Sequence, residues 1–194
     1  HIVNLSKYQK DFALIGKRIK TDAQAVIDLQ EYLEGTTSEQ NKLFQSDKLN
    51  AKLEEYRAAY QRTKSTSFAA PFVDITDFFN GEFLDELGHT GFCELVPGTM
   101  TGLGILGTFV GLVLGVGGFD TSTTDAVMVS ITHLLGGMST AFLTSIVGVL
   151  LSLAFSHIYK KYVDSTNQSL EDFVTAFHDK NLDGSSSNAE NQLL

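Results

Sequence analysis

The chain has 194 residues, 14 Lys and Arg against 23 Asp and Glu for a net charge of −9, one cysteine and no tryptophan. A lone thiol excludes an internal disulfide scaffold, and acids interleaved with every run of basic residues exclude a nucleic-acid surface built on net positive charge. Mean hydropathy is near zero, but that average hides a division. Eleven of the 14 cations lie in residues 1–94, and none lies in 95–159. The chain therefore reads as one charged helical region and one apolar region. It opens at His1 rather than Met, so it is expected to be part of a longer protein with further sequence before it.

In chain order, Leu5, Tyr8, Phe12, Ile15, Ile19, Val26, Leu29 and Leu33 recur at helical spacing and predict one helix from Leu5 to Leu33, stopped by Gly35. Thr37-Ser38-Glu39-Gln40 offers a capping box for a second helix running to Arg62. Leu43, Leu49, Leu53, Tyr56 and Tyr60 would face inward there, and Lys and Glu would form a solvated face. Lys64 to Pro71 is polar and turn-rich, a linker. Phe72 to Leu87 is a short amphipathic element with Phe78, Phe79, Phe83 and Leu84. It fits a membrane interface and core packing against the preceding helices equally well.

No charge occurs between Glu94 and Asp120, an interval of 25 residues. At about 1.5 Å per residue that suffices for a hydrocarbon core of about 30 Å. The stretch is rich in glycine, which water-soluble helices avoid but which lets apolar helices approach closely, and Gly107, Gly111 and Gly115 repeat the small-residue spacing. The first span is read as 96–119, with Pro97 as its hinge or entry. The polar loop Asp120–Asp125 follows, then an apolar run whose spanning part is read as 135–158, closed by Lys160 and Lys161. Cations flank the hairpin and its loop is acidic, so the positive-inside rule predicts that both ends are cytoplasmic. Beyond Tyr162 an amphipathic extension (Val163, Leu170, Phe173, Val174, Phe177) leads into Asp-Gly-Ser-Ser-Ser-Asn, a disordered tail or linker. The expected fold is all-α, a polytopic membrane protein. Its parts are 1–64 cytoplasmic helices, 65–95 linker and juxtamembrane element, 96–162 transmembrane hairpin, 163–180 cytoplasmic extension and 181–194 tail.

Stepping 100° per residue from Thr108 collects Thr101, Gly104 and Gly115 on one face, with Gly111 at its edge, opposite Leu103, Leu106, Val110 and Val113. From Ser145 the same construction collects Met138, Ala141, Ser152 and Ser156, with Gly148 at the edge, opposite Leu143, Val147 and Leu150. Thr108 and Ser145 fall near the middle of their spans, with Thr144 beside Ser145. Such hydroxyls either bond the preceding turn's carbonyl or line a polar path, and two at one depth on faces stripped of bulk favour the path. The candidate path-lining residues are Thr108, Ser145, Thr144 and Thr101, and the candidate packing residues are Gly104, Gly107, Gly111, Gly115, Ala141 and Gly148. Neither span holds Asp, Glu, Lys or Arg, and His133 falls toward the outer end. An ion path would need its ionisable group from another chain. With no metal-spaced His and Cys set, no phosphate loop and no nucleophile with a base, the expectation is a protein that is not an enzyme, has no cofactor and takes H⁺ or Na⁺ as transported ion.

Gly104-Ile105-Leu106-Gly107-Thr108-Phe109-Val110-Gly111-Leu112 and Gly137-Met138-Ser139-Thr140-Ala141-Phe142-Leu143-Thr144-Ser145-Ile146-Val147-Gly148 resemble two motifs of the MotA/TolQ/ExbB family of proton-channel subunits. The longer string from Val96-Pro97-Gly98 to Phe109, with Gly137-Met138 and Thr140-Ala141-Phe142, looks most like the A subunit of Zorya-type anti-phage systems. The family has Thr where Ser145 stands, so the hydroxyl is kept. The resemblance implies a further span upstream and a homo-oligomer, a pentamer, around two single-span partners of the MotB/ExbD/TolR kind. Each partner carries a membrane Asp beside which Thr108 and Ser145 would lie, and proton flow would drive mechanical work across a bacterial inner membrane. Two other readings remain: a structural membrane scaffold, and a self-contained glycine-rich channel of the mechanosensitive kind.

Overall fold

The computed structural model describes residues 2–36, 42–65, 73–88 and 90–182, and among them every regular element is helical. They are α1 (Ile2–Thr21), α2 (Ala23–Glu34), α3 (Asp47–Ser65), a 3₁₀ turn (Ile75–Asp77), α4 (Gly81–Gly88), α5 (Thr90–Gly117) and α6 (Thr124–Asp179). The chain forms two compact units: residues 1–89 with 162–194, and residues 90–161.

The first unit corrects several expectations. The helix expected over Leu5–Leu33 is two helices, because Asp22 is extended (φ −118°, ψ 104°) and its carboxylate accepts from the N–H groups of Gln24 and Ala25 as the N-cap of α2. Gly35 ends α2 as expected, in the left-handed region at φ 81°, with its N–H on Tyr32 O and the Thr36 N–H on Glu31 O. The capping box at 37–40 and most of the Lys64–Pro71 linker lie outside the described residues, as does the tail from 183. The next helix starts only at Asp47, because Asn50 clamps the preceding turn: its Oδ1 accepts from Phe44 N at 2.9 Å and its Nδ2 donates to Phe44 O at 2.7 Å. Buried Asp11 adds a second tie by accepting from Ser46 N at 2.9 Å.

These ties hold Phe44 in an aromatic cluster with Phe12, Phe79 and Phe173, in which every pair of rings lies 5.5–6.1 Å apart. Ile75, Phe79, Leu84 and Leu87 are buried there, so the 73–88 element packs in the core, one of its two expected settings. Leu170, Phe173, Ala176 and Phe177 of α6 complete the core. The segment expected as a separate extension thus belongs to the same unit as residues 1–89. Gly16 permits this: a Cβ on it would lie 3.2 Å from Phe173 Cα.

At the rim of this unit the Asp74 carboxylate caps the 3₁₀ turn by accepting from Thr76 N at 2.8 Å, and it meets His178 Nε2 at 3.0 Å. Partial burial pushes the Asp74 carboxyl up, but the hydrogen bonds from Thr76 and His178, with the His178 charge, outweigh it and hold the group below its ordinary 3.8. A depressed carboxyl stabilises the fold above its unfolded pKa and loses that contribution as pH falls through the folded one. In urea titrations of the chain in mild detergent, Asp74→Asn should therefore lower the midpoint near neutral pH. The gap to the unsubstituted chain should close as pH falls below the ordinary 3.8 of a carboxyl and on through the lower folded value. A constant gap would show that Asp74 acts only through its shape.

The second unit pairs α5 with residues 124–161 of α6. Both helices are long and apolar enough to cross a bilayer, and only 6% and 11% of their most apolar windows are buried. A core helix of a water-soluble domain would be mostly buried. All but Val3, Leu14 and Ile27 of the exposed large hydrophobics lie on this unit. Leu103, Leu106, Val110 and Val113 on α5, and Leu143, Val147 and Leu150 on α6, point outward as the helical wheels predict. The helix expected to start at Val96 starts at Thr90 and ends at Gly117 rather than Phe119, so Pro97 lies inside it. Proline favours a first-turn position; inside the helix it removes the N–H that would have reached the Cys93 carbonyl, and its ring crowds that same carbonyl.

Candidate functional site: the seam of the hairpin

Close approach of α5 and α6 requires that neither helix carry bulk where they touch. A Cβ on Gly111 would lie 2.7 Å from Ala141 Cβ, and one on Gly148 would lie 2.8 Å from Gly104 Cα. Gly107 faces Thr144, whose Oγ1 would be 3.0 Å from an added Cβ, and Gly115 faces Leu134. Each glycine singled out for packing therefore faces the other helix, and Ala141 is 2% exposed between them. Gly102 and Gly136, outside that spacing, have open space. Gly137 belongs to the seam as well, against Gly111 O and Gly115 Cα at 3.4 Å. Its position one turn before Ala141 was the available sign.

The hydroxyls are distributed along this seam. Thr108 Oγ1 lies 3.2 Å from Gly104 O in its own helix and 3.3 Å from Ala141 O across the seam. With one proton to donate, it shares or alternates between them. Thr144 donates to the same Ala141 carbonyl at 2.8 Å. Thr108 and Thr144 thus meet on one oxygen, which as a helical carbonyl also faces the N–H four residues on. Ser145 is half-buried and turns its backbone to α5, its Cα and O lying 3.4 and 3.3 Å from an added Gly104 Cβ. Thr101 is half-buried three residues before Gly104.

Ties at the two ends of the pairing were not foreseen. Buried Ser152 donates to Pro97 O at 2.9 Å. Buried Ser130 accepts from Asp120 N at 2.9 Å and so closes the connecting loop. Asp120 Oδ1 accepts from Ser122 N at 2.8 Å. Ser130 follows no apolar period, so only the tertiary contact reveals it. No cluster of three or more His, Cys, Asp or Glu suited to a metal exists among the described residues, and His133 is exposed. The seam is therefore a polar thread of hydroxyls and carbonyls inside apolar walls, without an ionisable group along its length.

Fold and seam together define a protein that is all-helical in its described residues and has an aromatic-cored helical unit and an apolar hairpin with glycine-lined contact and no charge at mid-length. The chain belongs to the ZorA family: residues 2–188 match the family described as anti-phage protein ZorA of the Zorya type I system. Two relatives are the Zorya protein ZorA of Escherichia coli strain ATCC 8739 (Crooks) and that of Escherichia coli O139:H28 strain E24377A. The first is 47% identical over 68 residues, covering 35% of this chain and 12% of the relative. The second is 32% identical over 124 residues, covering 64% of this chain and 16% of the relative. The chain thus corresponds to a small part of the length of these relatives.

Proposed function

We propose that the chain is the membrane part of a stator-type subunit that couples H⁺ or Na⁺ flux across the bacterial inner membrane to mechanical work in anti-phage defence. The hairpin would span the membrane with both ends in the cytoplasm, consistent with the acidic loop Asp120–Asp125 and with Lys160 and Lys161 beyond the second helix. The observation that carries the proposal is the meeting of Thr108 and Thr144 on the Ala141 carbonyl at 3.3 and 2.8 Å, half-way along a seam without ionisable groups. Hydroxyls and carbonyls can solvate a passing cation but cannot hold a proton against bulk water. A single-span partner with a membrane carboxylate would supply that group, beside Thr108, Thr144, Ser145 and Thr101. A pentamer of this chain around two such partners is the assembly that the family resemblance implies.

The double substitution Thr108→Ala with Ser145→Ala is expected to abolish phage protection, by about a hundredfold or more in plating efficiency, while the chain still assembles. Each lost hydrogen bond to a passing charge is worth about 1.5–3 kcal/mol. Full protection by this double variant would overturn the proposal. The scaffold reading draws on the same contacts, since Thr108 also bonds Gly104 O in its own helix. It predicts unchanged protection in the double variant and lost assembly on filling Gly107 or Gly111.

A further inference from the structure

The first unit carries a run of exposed basic residues that takes no part in its ion pairs among the described residues. On α1, Val3, Lys7, Lys10, Leu14 and Lys17 succeed one another at steps of three and four, forming one exposed stripe with Arg18 beside it. The one acid of α1, Asp11, is 3% exposed and bound to Ser46 N. Among the described residues Lys7, Lys10, Lys17 and Arg18 form no ion pair, although the Lys7 charge acts on nearby Asp47. Val3 and Leu14, 80% and 53% exposed, add apolar surface between the cations. This mixture differs from a merely solvated face, which would carry both signs of charge.

The opposite surface is on the same unit. Residues 66–159 contain no Lys or Arg, and the 3₁₀ turn and α4 expose Asp77, Glu82 and Glu86. Glu82 and Glu86 are one turn apart on one face. Although α4 packs beside α1, no ion pair joins the two patches within a chain. We propose that the basic α1 stripe of one copy docks on the acidic Asp77–Glu82–Glu86 surface of the next copy. The contact is head-to-tail when each copy gives its stripe to one neighbour and its acids to the other, the arrangement that closes rings. An anionic bilayer is the weaker occupant, because the exposed acids of the 3₁₀ turn and of α4, which packs beside α1, would meet it with like charge. The inference rests on the homo-oligomer part of the proposed function and is independent of the ion path.

Charge reversal tests it on the full chain in mild detergent, with mass read by light scattering and folding by far-UV circular dichroism. Lys10→Glu, Lys17→Glu and Arg18→Glu together should weaken self-association by about ten- to a hundredfold, as several exposed ion pairs would. Asp77→Lys, Glu82→Lys and Glu86→Lys together should do the same, and all six in one chain should restore the original mass. An oligomer that survives both triple reversals, or a six-fold variant that stays dissociated, overturns the interface and leaves the homo-oligomer standing. A monomeric unsubstituted chain would instead remove the oligomer itself. Unchanged mass on reversing α1, with loss of phosphatidylglycerol bound to the detergent-solubilised chain as read by native mass spectrometry, would assign the stripe to lipid and overturn the inference.

Discussion

Gly148→Leu is expected to separate the paired helices of the hairpin. A Cβ at that position would lie 2.8 Å from Gly104 Cα and 3.1 Å from Met100 O. Both are backbone atoms that no rotamer change moves aside. Overpacking a tight site costs about 1–3 kcal/mol, and leucine adds three more carbons where even the first does not fit. A native-state reporter exists across the same seam: a Cβ on Gly107 would stand 3.4 Å from Thr144 Cβ, just under the range of about 3.5–4.5 Å that a disulfide bridges. In a Cys93→Ala background, Gly107→Cys with Thr144→Cys should oxidise readily, and adding Gly148→Leu should cut the yield at least severalfold. Gly136→Leu, at a glycine with open space around it, should leave the yield unchanged. Equal losses at Gly148 and Gly136 would show that glycine content, rather than contact, governs the hairpin.

The same seam shows what a sequence can and cannot reveal. Small residues at three- and four-residue steps mark a contact face because period and size are both written in the chain, so Gly104, Gly107, Gly111, Gly115, Ala141 and Gly148 could be read directly. The pairing of hydroxyls could not. Thr108 and Ser145 share a depth, but depth does not say which carbonyl a hydroxyl meets, and the oxygen that Thr108 approaches is shared with Thr144. In the first unit, the apolar steps of residues 5–33 skip one beat between Ile19 and Val26, with Asp22 in the gap, and then resume in phase, so the gap reads as one polar position on a single helix rather than as the break that the Asp22 side chain makes. The clamp by Asn50 and the tie from Asp11 join positions without any shared period. Amphipathic spacing beyond Tyr162 announces a buried face without naming what buries it, and that partner is the core formed by residues 1–89.

That partnership makes Phe173 the residue on which the first unit most depends. Its ring is fully buried and lies within 6.0 Å of the rings of Phe12, Phe44, Phe79 and Phe177. These come from α1, from the clamped turn before α3, from the segment before α4 and from α6 itself. Truncation to alanine removes a contact common to all of them, and Phe→Ala in a core costs about 3–5 kcal/mol. Against a total of about 5–15 kcal/mol for a typical domain, Phe173→Ala should leave the unit close to unfolding at 37 °C. Near-UV circular dichroism should lose its aromatic bands, and proteolysis should open residues 1–89. The hairpin seam shares no residue with this cluster, so the Gly107→Cys/Thr144→Cys disulfide should form as before in the Phe173→Ala chain. Phe173→Leu keeps most of the volume and should cost less than half as much, with the aromatic bands only weakened. Should Phe173→Ala retain the protease resistance of the unsubstituted chain, α6 would be a passenger on the first unit rather than the element that closes its core.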